Sequence, residues 1–262
     1  SIRIRFEKLE AEMSNIYPQA QPFFLRGSQE TALLFIHGFT ASPSELYPTA
    51  QLIHELNGCT LSAPLLPGHG SSPQFLNRSN WEDWYNTIKK ELNFLMENHD
   101  RVFVGGLSMG GLLALYAGSR INGLKGAISI NAPIFNRSPL LTAASPLIGR
   151  IRPYYPKKDG PNQRRLKQEG RFAYNVIPVR AFQSLMNLRN TVMEEVDGIN
   201  LPVLLIQSLQ DKSVHPRSVY YLQEKIKNTE LIELHYSEHV ATMGGEKEKI
   251  ARAIVDFINN CS

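Results

Sequence analysis

The sequence predicts an α/β fold, with a mostly parallel central sheet, helices on both faces and one long helical insertion. Three observations predict it. Strand-like and helix-like stretches alternate along most of the chain, the pattern of strands joined by crossover helices. The strand-like runs are short and apolar, as in buried strands. Between Phe135 and about Asn200 the alternation stops, in a stretch with prolines at 139, 146, 153, 156, 161 and 178. A break that long inside a compact domain is rarely a plain loop. Residues 1–134 and 201–262 are therefore expected to form the core, and residues 135–200 a cap over it.

Each element has a local cause. Thr31–Ile36 is an apolar run that ends at His37-Gly38, a first buried strand. Ser42, Pro43 and Glu45 have the spacing of a capping box with proline at the first helical position, and that helix should stop near Asn57-Gly58. Cys59–Ala63 is a second strand, ended by Pro64 and the loop Leu65–Gly70. Asn80 can cap the next helix, with Glu82 and Asp83 favouring its positive end. Trp81, Trp84, Tyr85, Ile88, Leu92 and Leu95 form its apolar face, expected as core. Arg101–Gly105 is a strand and Met109–Arg120 the helix after it. Gly126–Ile130, Pro202–Ile206 and Leu231–Leu234 are further strands, and Glu246–Asn259 is the last helix. Within the insertion, Gln163–Gln168 and Val179–Leu188 are helical patches.

Composition narrows the classes. At 262 residues, with 42% hydrophobic and 20% charged side chains, the chain is an ordinary globular domain with a sizeable core. No run approaches the roughly 18 apolar residues of a membrane span, and Ser1–Phe6 lacks a signal-peptide core. A cytoplasmic protein is expected, with no stable membrane insertion, as a monomer or homodimer. Two cysteines, Cys59 and Cys261, imply no disulfide framework. No Cys/His cluster has zinc-ligand spacing, and the serine chemistry read below needs no metal or organic cofactor. Charge is uneven: Phe135–Val196 holds eleven Lys/Arg and four acids, an excess of +7, whereas the whole chain carries +4 and the remainder −3. Two readings stay open, a solvated surface or a basic rim that meets anionic substrates or a lipid surface.

A serine hydroxyl is a weak nucleophile that needs a base and a charge stabiliser. Gly106-Leu107-Ser108-Met109-Gly110 fits the sharp strand-to-helix turn that presents such a serine, and a Cβ at either glycine would clash. Asp211, just beyond a buried strand, is the candidate acid. His239, between the last strand and last helix, is the candidate base, with His235 its rival. The order Ser, Asp, His matches that chemistry. Backbone N–H groups of Phe39 and Met109 are the candidate oxyanion donors. His37 is expected to buttress its loop by hydrogen bonding, and His69 to serve loop structure.

From Pro22 onward the chain resembles small bacterial carboxylesterases and monoacylglycerol lipases of the α/β-hydrolase superfamily. The matching motifs are Pro22–Leu25, His37–Thr40, Leu66–Gly70, Trp81–Trp84, Gly105–Gly111, and Ser237 with His239-Val240. The resemblance implies the α/β-hydrolase fold, a catalytic triad of Ser108, Asp211 and His239, an oxyanion hole at Phe39 and Met109, and ester hydrolysis under a small helical cap. Glu238 stands where that family would have Gly, and is expected to point to solvent. The first 16 or so residues extend beyond the family core.

The function expected is a serine carboxylic-ester hydrolase acting on a small-molecule ester of short-to-medium acyl chain. Phe135, Leu140, Leu141, Phe182 and Leu185 line the acyl pocket or fill the cap core; both readings stay open. A thioesterase or amide hydrolase with the same triad is the alternative. A non-catalytic binder ranks lower, because every catalytic element is present. Nucleic-acid binding is not expected, because the basic residues are scattered among prolines.

Overall fold

The computed structural model describes residues 16–137, 152–157 and 163–261. In these residues a seven-stranded sheet runs in the order β1-β3-β2-β4-β5-β8-β9. Its strands are β1 (Phe23–Leu25), β2 (Ser28–Ile36), β3 (Cys59–Ala63), β4 (Arg101–Leu107), β5 (Leu124–Ile130), β8 (Val203–Ser208) and β9 (Thr229–Leu234). β1 is antiparallel to β3, and every other pairing is parallel. This is the mostly parallel sheet that the alternation predicts.

Two apolar layers cover the sheet, because successive strand residues face opposite sides. Ala32, Leu34 and Ile36 join Val102, Val104, Val203 and Leu205 in one layer. Leu33, Phe35, Phe103, Leu204 and Ile206 form the other. The first layer takes α3 (Trp81–Asn98) and α4 (Met109–Arg120); the second takes α1 (Tyr47–Asn57) and α8 (Lys247–Asn260). α3 carries a full capping box, Asn80 Oδ1 accepting the Asp83 N–H at 2.8 Å and Asp83 Oδ2 the Asn80 N–H at 3.1 Å. Trp84, Ile88, Leu92 and Leu95 on its inner face are fully buried.

The expected capping box at Ser42 is not there. Pro43–Glu45 is a single 3₁₀ turn, Ser42 makes no capping bond, and α1 begins at Tyr47. The reason is tertiary: the Glu45 carboxylate turns inward to accept the Gly38 N–H at 2.7 Å. Three short elements carry too little pattern to be read from sequence: β1, the helix α2 (Pro73–Leu76) and the helix α7 (Arg217–Lys225).

Between β5 and β8 lie a two-stranded antiparallel ribbon, β6 (Tyr154–Pro156) with β7 (Val176–Pro178), and the helices α5 (Gln163–Gln168) and α6 (Val179–Glu195). α6 runs seven residues past the expected end at Leu188, because Leu188, Val192 and the following Val196 are buried in the layer that holds α4. Prolines are tolerated in the ribbon because a two-stranded pair is all edge. Leu140, Leu141, Arg150, Lys158 and the N-terminal extension up to residue 15 lie outside the described residues.

Candidate active site

The site gathers at the carboxyl ends of β2, β4, β5, β8 and β9, where an open parallel sheet leaves its loops free for chemistry. Ser108 sits between β4 and α4 at φ 57°, ψ −115°. Only a tight turn imposes such a backbone on a non-glycine residue. The flanking glycines permit it. A Cβ on Gly106 would lie 2.3 Å from the Gly110 carbonyl carbon, and one on Gly110 would lie 2.1 Å from the Ile36 carbonyl oxygen. The Ser108 N–H donates to Ile130 O at 2.7 Å, tying the turn to β5.

The structure brings the three separated candidates together. Ser108 Oγ lies 3.0 Å from His239 Nε2, and His239 Nδ1 lies 2.7 Å from Asp211 Oδ2. Asp211 is fully buried, and its Oδ1 accepts the N–H groups of Ser213 and Val214 at 2.7 and 2.9 Å. With both carboxylate oxygens acting as acceptors, His239 Nδ1 carries the proton and Nε2 is left to accept from the serine. Burial works against a charged imidazolium, but the hydrogen bond and charge of Asp211, with Glu45 farther off, hold the His239 pKa above its ordinary value. His235 is exposed and lies outside this arrangement. Glu238 points outward to a 2.6 Å ion pair with Lys212.

Met109 follows the serine directly in the chain, and Phe39 follows Gly38 in the loop after β2. The Met109 N–H opens α4 and has no carbonyl one turn back to receive it. The Gly38 backbone packs so closely that an added Cβ would fall 3.5 Å from Ser108 Cβ. His37 holds this loop from behind: its Nδ1 donates to Gly38 O at 2.9 Å and its Nε2 accepts the Leu66 N–H at 3.1 Å. Burial drives the His37 pKa down to about 4, which keeps the ring neutral for both bonds. His69 packs edge-on against His37, and burial holds its pKa well below the ordinary value too.

Three positions escape sequence reasoning. Asn131, at the end of β5 with φ 50°, donates from Nδ2 to Ser208 Oγ and to His239 O, both at 2.9 Å, and accepts the Ser208 N–H at 2.7 Å. It fixes the histidine loop to two strands. Its signal was a polar residue closing a buried strand. Glu45 anchors Gly38 from the interior, and burial raises its pKa. Glu246 accepts from the backbones of His235, Tyr236 and Ser237 and from Ser237 Oγ, and so shapes the approach to His239. Among the proposed pocket residues, Phe182 faces Phe39 with ring centroids 6.3 Å apart. Leu185 is buried core, and Phe135 is sandwiched by Tyr221 and Arg217.

A groove of about 580 Å³ lies at the β1–β3 edge; it includes His69 but none of Ser108, Asp211 or His239, so it is not where this chemistry sits. Among the described residues no His/Cys/Asp/Glu group could hold a metal ion, and no helix is long and apolar enough to cross a membrane.

A family model described as serine aminopeptidase, S33, matches residues 27–241. The chain is 28% identical over 250 residues to a thermostable monoacylglycerol lipase of Bacillus sp. (strain H-257), covering 94% of this chain and 98% of that one. It is 24% identical over 241 residues to a carboxylesterase of Bacillus subtilis (strain 168), covering 91% and 96%. A solved chain from work on LipS and LipT, two metagenome-derived lipolytic enzymes, superposes with a TM-score of 0.83 at 30% identity, covering 93% of this chain and 99% of that one. A Paleococcus ferrophilus monoacylglycerol lipase superposes at 0.74 with 20% identity over 91% and 98% of the two chains, a likeness of fold.

Proposed function

This chain belongs to the serine aminopeptidase S33 family, and we infer that it is a serine hydrolase of carboxylic esters with short-to-medium acyl chains. The observation that carries the reading is the hydrogen-bonded relay from Ser108 through His239 to Asp211. Relatives named as a carboxylesterase and a monoacylglycerol lipase support the choice of ester.

Ser108 Oγ attacks the ester carbonyl while His239 Nε2 takes its proton. The carbonyl oxygen becomes an anion facing the N–H groups of Phe39 and Met109. His239 then delivers the proton to the departing alcohol, leaving an acyl group on Ser108. Water enters, His239 takes a proton from it, and the acid leaves. Asp211 keeps the imidazole in the tautomer that can accept, and stabilises the imidazolium in between. Residues 135–200 act as the cap, with Phe182 beside Phe39 on the acyl side.

A p-nitrophenyl ester series of increasing chain length tests the reading. The expected result is a product burst and turnover on short and medium chains, with Ser108→Ala lowering kcat by about 10⁴- to 10⁶-fold. Turnover at no length, or full activity in Ser108→Ala, sinks it.

A further inference from the structure

We propose that the preferred ester carries an anionic group, a carboxylate or phosphate, a few bonds from the scissile carbonyl, and that Lys157 receives that group with Arg171 behind it. The proposal rests on the ester-hydrolase reading above. Lys157 belongs to the insertion, one residue beyond β6, yet its ammonium reaches the loop beside the serine. Nζ donates to Thr40 Oγ1 at 2.6 Å, and Thr40 Oγ1 donates to the carbonyl of Phe39 at 2.5 Å. Thr40 is itself fixed: its φ is 64°, and its carbonyl accepts the Tyr174 N–H at 2.8 Å. The cation is thus tethered one residue from a candidate oxyanion donor, within electrostatic range of His239.

What marks Lys157 as a receptor is its shortage of partners. An ammonium has three donors. Among the described residues one is engaged, by a neutral hydroxyl, and no carboxylate pairs with it. One acid, Glu45, acts on it electrostatically, and the acids of this region have other work. Glu45 gives Oε1 to the Gly38 N–H, and Glu169 pairs with Arg171 Nη1 at 3.1 Å. Arg171 Nε is buried with no hydrogen bond among the described residues. Burial, with the Arg171 charge adding to it, lowers the Lys157 pKa to about 8 against the pull of Glu45. At neutral pH the group is still a cation, desolvated and underused. An oxyanion on the substrate would supply the charge-assisted bond that the protein withholds. A neutral ester leaves that cation as it is. The basic excess of the insertion would steer such a substrate inward.

Two matched pairs test this. In p-nitrophenyl hydrogen adipate against p-nitrophenyl hexanoate the charge is a carboxylate on the acyl side. In butyryl glycerol phosphate against monobutyrin it is a phosphate on the alcohol side. In at least one pair, kcat/KM at low salt should favour the charged ester by about tenfold, the worth of one bond to a charged group. Lys157→Met should abolish the preference, Lys157→Arg should keep most of it, and added salt should weaken it. Preference for the neutral member of both pairs, or an unchanged ratio in Lys157→Met, overturns the proposal. So does an equal loss on charged and neutral esters, which would mark Lys157 as a latch for the insertion. Turnover of none of the four esters would instead refute the ester-hydrolase reading. Calorimetric binding of adipate and glycerol phosphate then decides alone: weaker binding by about tenfold in Lys157→Met supports the subsite, and equal affinity overturns it.

Discussion

Ser108 occupies a backbone region that costs a non-glycine residue about 1–3 kcal/mol, held by its N–H bond to Ile130 and by the helix that starts behind it. That strain aims Oγ at His239, so the protonation of one imidazole governs the site. The ring must be neutral to take the serine proton. Its pKa lies above the ordinary value because Asp211 outweighs burial. The acid limb of kcat/KM should therefore fall off through a pKa above about 6.5. In Asp211→Asn the hydrogen bond to a charge is gone and burial is left to act, so the limb should move to lower pH while the rate drops by about 10⁴-fold. A pH–rate profile of both proteins checks this; a limb that stays in place or rises in the variant counts against the assignment.

The turn between β4 and α4 is the element on which this geometry depends, and its tolerance is steric. A Cβ at Gly110 would stand 2.1 Å from a backbone oxygen of β2, which no rotamer can relieve. Gly110→Ala should push α4 and Ser108 off the sheet, lowering kcat by about 10²-fold or more with a clear fall in thermal midpoint. Near-normal kinetics in that variant would show the turn to be looser than its contacts indicate. The elements with long apolar periodicity, such as β2, β4 and α3, are legible in sequence because burial alone defines them. Ser42–Glu45 misleads because the same carboxylate that suits a cap is worth more on the buried Gly38 N–H. The ribbon β6–β7 leaves no trace, since three-residue strands with prolines carry no period.

Across the whole molecule, the candidate reacting groups could be picked out in sequence because a nucleophile turn and a following acid and base keep fixed positions relative to strands. Their supports were not: Asn131 meets His239 across 108 positions and Lys157 meets Thr40 across 117, and no local pattern reports such pairs. The same packing sets how the fold responds to acid. His37 and His69 are buried neutral, with folded-state pKa values of about 4 and well below 6.5 respectively. For groups held below their unfolded value, the unfolded chain binds protons that the fold refuses. Stability is then fully present above about pH 6.5 and declines as pH drops toward 4, by about 3 kcal/mol for His37 alone. His239, shifted upward, keeps its full contribution in that window and loses it only on the alkaline side. Glu45, an acid raised by burial, opposes the trend in part. The net expectation is a thermal midpoint that falls on the order of 10 °C between pH 7 and pH 4. His69 is the place to intervene: its ring makes one 3.3 Å bond to Pro67 O, and its Nε2 has no partner among the described residues. His69→Phe keeps the aromatic contacts with Phe39 and Trp84 and removes a titrating group, so its midpoint should fall less steeply with acid than that of the parent. An equally steep fall would place the acid sensitivity elsewhere than in His69.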